Sequence, residues 1–117
     1  MHYLRVYNDD TGRTRFEERE VEFERAVFAP PAPPLGVSSA SPAREVMFIR
    51  LEAGWTDALH PSPARQWMFV LSGRGESTAS GETRQWGPGQ VLLLEDTEAP
   101  GHGTTVFEDA VFAVVRC

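Results

Sequence analysis

Three histidines, His2, His60 and His102, are the side chains best suited to move a proton or hold a metal near neutral pH. His60 and Ser62 stand two apart in "HPS", and Gln66, Met68 and Val70 repeat that spacing in "QWMFV". Residues two apart on an extended chain point to the same side. Residues 60 and 62 therefore share one interior if their segment is extended, and 66, 68 and 70 do likewise. His2 stands alone in "MHYLRVY" and is expected in solvent. The single cysteine, Cys117, allows no intrachain disulfide and no cysteine-rich zinc or iron–sulfur site. Nucleophilic chemistry is not expected at a terminus prone to fraying.

Other chemistries are excluded by what the chain lacks. All 11 basic residues are arginine, so there is no lysine for a Schiff base or a lysine general base. No nucleophile elbow, phosphate-binding loop or dinucleotide glycine pattern is present, so no nucleotide cofactor is expected. Gly73-Arg74-Gly75 reads as a hairpin element. Seventeen acidic residues leave a formal net charge of −6. With a pI near 5.0 the chain has no dominant positive field, which argues against nucleic acid and anionic membranes as partners. The stretch "AVFAPPAPPLGV" carries four prolines and cannot be a membrane helix, and the N-terminus has no apolar signal core. The expected compartment is the cytoplasm.

The elements that must position these residues read as strands. With 117 residues, the expectation is one domain with one core. Short β-rich runs alternate with turns, and no long helical periodicity appears. Tyr3–Tyr7 reads as a first strand and residues 17–25 as an edge strand. The proline-rich stretch from Ala29 reads as a loop. From Arg44 onward, "REVMFIRLEA", "RQWMFVLSG", Arg74–Ser80, "TRQW" and "QVLLLE" read as strands. "TTVFE" and "AVFAVVR" read as a closing hairpin across Glu108–Asp109. Eight or nine strands at this spacing fit a closed or double-sheet antiparallel fold. Residues 1–43 read as an N-terminal arm and proline-rich loop packed on a barrel of residues 44–117.

The segment "GWTDALHPSPARQWMFVLSG", Gly54 to Gly73, resembles the first motif of the cupin superfamily. His60 takes the motif's first histidine, Ser62 its second, Gln66 its glutamate and Gly73 its closing glycine. The spacing is kept and two of the three ligand types differ. "GPGQVLLLEDTEAPGHG" is similar to the second motif, with His102 as its terminal histidine two residues late. The resemblance covers about residues 44–115, as motif reading goes, and looks like a small single-domain bacterial cupin. It implies an all-β antiparallel jelly-roll barrel, the double-stranded β-helix.

It also implies a shared pocket containing His60 and His102, rather than two isolated structural histidines. A divalent transition metal (iron, manganese, nickel, copper or zinc) is an open expectation, with His60, Gln66 and His102 as its ligands. Gln66 is read as a ligand, a substrate donor or a buried amide between strands, the last two together ahead of ligation. Ser62, Met68 and Trp55 are the expected substrate-binding residues, with Ser62 able to anchor a water. Arg65 reads as a surface ion-pair residue, and Glu95, Asp96 and Glu98, near His102, as acid–base groups or, as is usual for an acidic loop, as solvated residues. The tryptophans and phenylalanines are expected in the core and on a homodimer face. Catalysis by His60, His102 and Gln66 on a small molecule, of oxygenase, isomerase or lyase type, is the leading functional expectation. A non-catalytic barrel that senses or sequesters a small ligand is the alternative, because fold alone does not name a function.

Overall fold

Alternation of apolar and polar residues builds nine strands and no helix in the computed structural model, which describes residues 1–117. They are β1 (His2–Asn8), β2 (Thr14–Glu20), β3 (Glu24–Ala26), β4 (Leu35–Val37), β5 (Glu45–Leu51), β6 (Gln66–Ala79), β7 (Glu82–Trp86), β8 (Val91–Glu95) and β9 (Gly103–Arg116). Seven form one sheet in the order β2-β1-β8-β6-β9-β5, with β7 also paired to β6. The result is an all-β jelly-roll barrel.

Its spine is the antiparallel pair β6 and β9, each 14 residues long. Register shifts fall between Val70 and Gly75. Such bulges bend a strand and let it pass from one layer to the next. Gly73 sits at the bend with φ +86°, where a Cβ would collide with the Asp109 carbonyl oxygen. Glu108–Asp109 is therefore not a hairpin turn. β9 runs straight through it, because β6 bends opposite and keeps both partners paired.

Two further expectations change. The proline-rich stretch is not loop throughout: Leu35–Val37 pairs with Glu24–Ala26 as a separate two-stranded ribbon. The sheet is also not wholly antiparallel, since β1 runs parallel to β8. No tight turn joins those two strands, so nothing forces them antiparallel.

The N-terminal arm packs by joining the sheet. Val6 of β1 and Phe16 of β2 are in the buried core with Val70, Trp86, Leu92, Leu94, Val106, Phe112 and Val114. Thr14, fully buried, accepts the Gly101 N–H at 3.0 Å through its hydroxyl oxygen. The Asn8 amide brackets the Glu98 backbone, donating to its carbonyl and accepting from its N–H. The first two strands thus hold the loop that carries His102.

Candidate active site

Inward-facing side chains of β5, β6, β8 and β9 surround a cavity of about 250 Å³. Its walls are largely apolar, built by Met47, Ile49, Leu51, Met68, Leu92, Leu94, Trp86 and Phe112. The edge-to-face pair of Trp86 and Phe112, with centroids 5.0 Å apart, forms part of that wall. His60, Ser62, Gln66, His102, Met68 and Trp55 all line this one cavity.

Two irregular loops bring the histidines together. His60 and His102 exchange a pair of backbone hydrogen bonds, each 3.0 Å, as an isolated antiparallel bridge. Their rings are tilted by 42° with centroids 5.4 Å apart. Gly101 makes this approach possible. Its φ is +76°, and a Cβ there would collide with the His60 carbonyl group.

Each imidazole is backed by a carboxylate, but differently. Asp96 is fully buried; one oxygen accepts from the Ser62 hydroxyl at 2.7 Å and the other lies 2.6 Å from His102 Nδ1. A carboxylate there makes Nδ1 the donor and leaves Nε2 as the free ring nitrogen. The His102 side chain is only 10% exposed. His60, 49% exposed, stands at the mouth. Its Nδ1 is 3.2 Å from the Ala58 carbonyl and 2.9 Å from Asp57 Oδ2. The ring N–H aligns with the carbonyl rather than the carboxylate, so Oδ2 is buried without a hydrogen bond. Asp57 Oδ1 meanwhile accepts the Thr104 N–H at 2.7 Å.

Of Glu95, Asp96 and Glu98, read as acid–base candidates or a solvated loop, Asp96 is the deepest charged group of the site and not a solvated loop residue. Its signal was its place directly after the buried run "VLLLE". Ser62, at the motif's second histidine position, gives its hydroxyl to Asp96 while still lining the cavity. Gln66 is buried and its amide makes no protein hydrogen bond. Arg65 pairs with Glu95 at 2.7 Å. Burial pushes the Glu95 carboxyl up, but hydrogen bonds from Arg65 and Arg5 and their charges outweigh it and hold it below its ordinary range. Arg116 also lines the cavity; its signal was the two-residue period of Phe112, Val114 and Arg116.

No protein-family model and no curated protein matches the chain. Solved structures do. The cupin domain of Cnp3 from Schizosaccharomyces pombe matches with TM-score 0.50 and 12% identity, over all of this chain and 82% of that one. The chain folds as a cupin. A predicted oxalate decarboxylase from Thermotoga maritima is similar at TM-score 0.49 and 19% identity, over 82% of this chain and 91% of that one. A conserved protein of unknown function from Streptococcus pyogenes is similar at TM-score 0.48 and 23% identity, over 68% of each chain.

Cupin barrels suggest a metal, but the donors of this cavity suit one poorly. No three His, Cys, Asp or Glu side chains are arranged to hold it. Asp96 is committed to Ser62 and His102, and Asp57, although on the cavity lining, has its Oδ2 against His60 Nδ1, so no carboxylate is grouped with the two imidazoles and the neutral amide of Gln66. That arrangement does not fit a tightly held divalent cation. No helix is long and apolar enough to cross a membrane.

Proposed function

We propose that this cupin is a small-molecule enzyme that works by acid–base chemistry between His102 and His60, of isomerase or lyase type. The observation that carries the reading is the pair of imidazoles, 5.4 Å apart, on one largely apolar cavity. His102 is the base: Asp96 orients it and stabilises the imidazolium that forms when Nε2 takes a proton from substrate carbon. His60, protonated, is the acid. It delivers its proton to a substrate oxygen. In an elimination that oxygen leaves as water, and exchange with solvent then removes the proton gained by His102 and restores the one lost by His60. In an isomerisation the enol is an intermediate: His102 returns its proton to a different carbon, and His60 takes back the hydroxyl proton as the carbonyl re-forms. The apolar walls exclude water around the buried base and strengthen its electrostatics. Gln66 supplies an unpaired amide to orient a polar substrate group.

The test reads proton abstraction directly and does not require the product to be identified. Small oxo and hydroxy compounds are incubated with the protein in D₂O, and proton loss at carbon is followed by NMR. At least one should exchange faster with wild type, and His102→Ala should abolish the gain. Exchange that persists in His102→Ala would refute the assignment, as would a broad set with no exchange.

We also propose that two copies associate. Val46 and Phe48 on the edge strand β5 are 65% and 71% exposed, and Leu71 on β6 is 54% exposed. Phe23, Val27, Phe28 and Leu35 are exposed on or beside the β3–β4 ribbon of the same chain. One chain thus carries a flat apolar face and an apolar ribbon that does not cover it, which suits a self-complementary interface. Light scattering should give twice the 13.0 kDa chain mass. Phe48→Glu should halve it, and a monomeric wild type would count against association.

A further inference from the structure

The cavity has a charged feature that proton transfer does not use. Gln66 lies opposite Leu94 on one side and Arg116 on the other, and Arg116 lies opposite Glu45. These four residues form one cross-strand row. The next row inward is Leu92, Met68, Val114 and Met47, entirely apolar. Arg116 is the one guanidinium on the cavity lining, where the other charged or titratable groups are Asp57, His60 and His102.

That guanidinium is poorly satisfied. Its Nε is buried and has no hydrogen-bond partner. Its Nη1 is 3.5 Å from a carboxylate oxygen of Glu45, a residue 59% exposed at the side chain on an edge strand. An exposed pair at that distance contributes little. A buried cationic N–H without an acceptor is costly. The acceptor that matches Nε together with an Nη is a planar two-oxygen anion, bound through two parallel hydrogen bonds.

We infer that the cavity takes a small organic carboxylate, with its carboxylate on Arg116 and its apolar body against Met47, Met68 and Leu92. This rests on the acid–base reading for what happens next, but binding stands apart from it. The carboxylate sets one end of the substrate in the Gln66–Arg116 row, and the remaining polar group is presented to His60 and His102. The substrate class is thus an oxo or hydroxy acid with a compact apolar body, in keeping with a cavity of about 250 Å³. A bare inorganic anion would use the fork and leave the apolar walls unfilled.

Binding is measured on the full chain by calorimetry at neutral pH, with hexanoate and benzoate as probes. Hexanamide, benzamide and inorganic phosphate are the controls. The two carboxylates should bind at least about tenfold more tightly than their amides and than phosphate, as expected for a charge-assisted pair. Arg116→Gln should remove that advantage. Glu45→Gln, which frees the guanidinium from its ion-pair partner, should tighten carboxylate binding and serves if Arg116→Gln fails to fold. Equal binding of acid and amide would overturn the inference. So would unchanged carboxylate affinity in Arg116→Gln, weaker or unchanged affinity in Glu45→Gln, or phosphate binding as tightly. Wild-type exchange measured beside binding separates the two readings, since exchange on compounds without any carboxylate preference would refute this inference and leave the acid–base reading standing. Carboxylate binding without any exchange in wild type would refute the acid–base reading and leave this one standing.

Discussion

His102 and His60 face each other across one backbone bridge, yet their surroundings differ in every respect that matters for proton transfer. His102 is buried, its carboxylate partner is fully buried, and that partner is itself pinned by Ser62. His60 is half exposed, aligned on a carbonyl, and close to a carboxylate it does not properly engage. The first arrangement is rigid and suits a base that must keep one orientation. The second is loose and open to water, which suits a group that must exchange its proton each cycle. In the proposed reaction, two like residues take unlike roles because their surroundings differ.

The most severe way to break this comparison is at Asp96. Asp96→Asn keeps the volume but offers an amide where Ser62 and His102 Nδ1 both need an acceptor. Proton exchange at substrate carbon should fall on the order of a thousandfold, within the range for positioned acid–base groups. Stability should drop by about 1–3 kcal/mol in urea titrations, because a buried polar group loses its partner. Asp57→Asn acts on the looser side. Its amide oxygen can still accept from Thr104 N–H, and His60 keeps Ala58, so a loss of only about tenfold is expected, below the range for removing an acid–base group itself. Equal losses for the two variants would remove the proposed asymmetry.

Gly101→Ala breaks the bridge that both sides share. The new methyl would collide with the His60 carbonyl, and the positive φ is itself unfavourable for alanine. A loss of about 2–4 kcal/mol is expected in chemical denaturation, in line with overpacking plus backbone strain. A variant with wild-type stability and exchange rate would show that the bridge does not position the histidines.

The smallest effect sharpens the contrast between neighbours Asp96 and Glu95. Asp96 faces the buried side, and Glu95 meets Arg5 and Arg65 near the surface. The folded Glu95 carboxyl titrates below its value in the unfolded chain. Its contribution is therefore present above the unfolded value and is lost as pH falls through the lower folded value. Glu95→Gln should lower the melting temperature at pH 7 by a few degrees and make no difference once both states of the wild-type carboxyl are protonated. A difference that grew on acidification would contradict this sign.

Much of the scaffold was legible in the residues. Two-residue alternation marked most strands, and the glycine and histidine spacing from Gly54 to Gly73 marked the barrel and its cavity. Alternation at Gln66, Met68 and Val70 placed them on the inner side, and Gln66 and Met68 do line the cavity. The continuity of β9 through Glu108–Asp109 was hidden because acidic residues favour turns locally. Only pairing with a bent β6 overrides that preference.

What the sequence by itself determined is the set of inward-facing types: apolar walls, two histidines, one amide. Strand periodicity and motif spacing are local properties, so they can be read along the chain. What tertiary structure alone decided is which charged residues serve the site. Asp57 and Asp96 stand three and six residues from their histidines in irregular loops, where no period says which way a side chain points. Asp96 is buried because β1 and β2 hold its loop against the barrel, and Arg116 enters the cavity because β9 pairs with both β5 and β6. Burial of a charge depends on what folds over it from distant parts of the chain, and that is settled only once the strands are assembled.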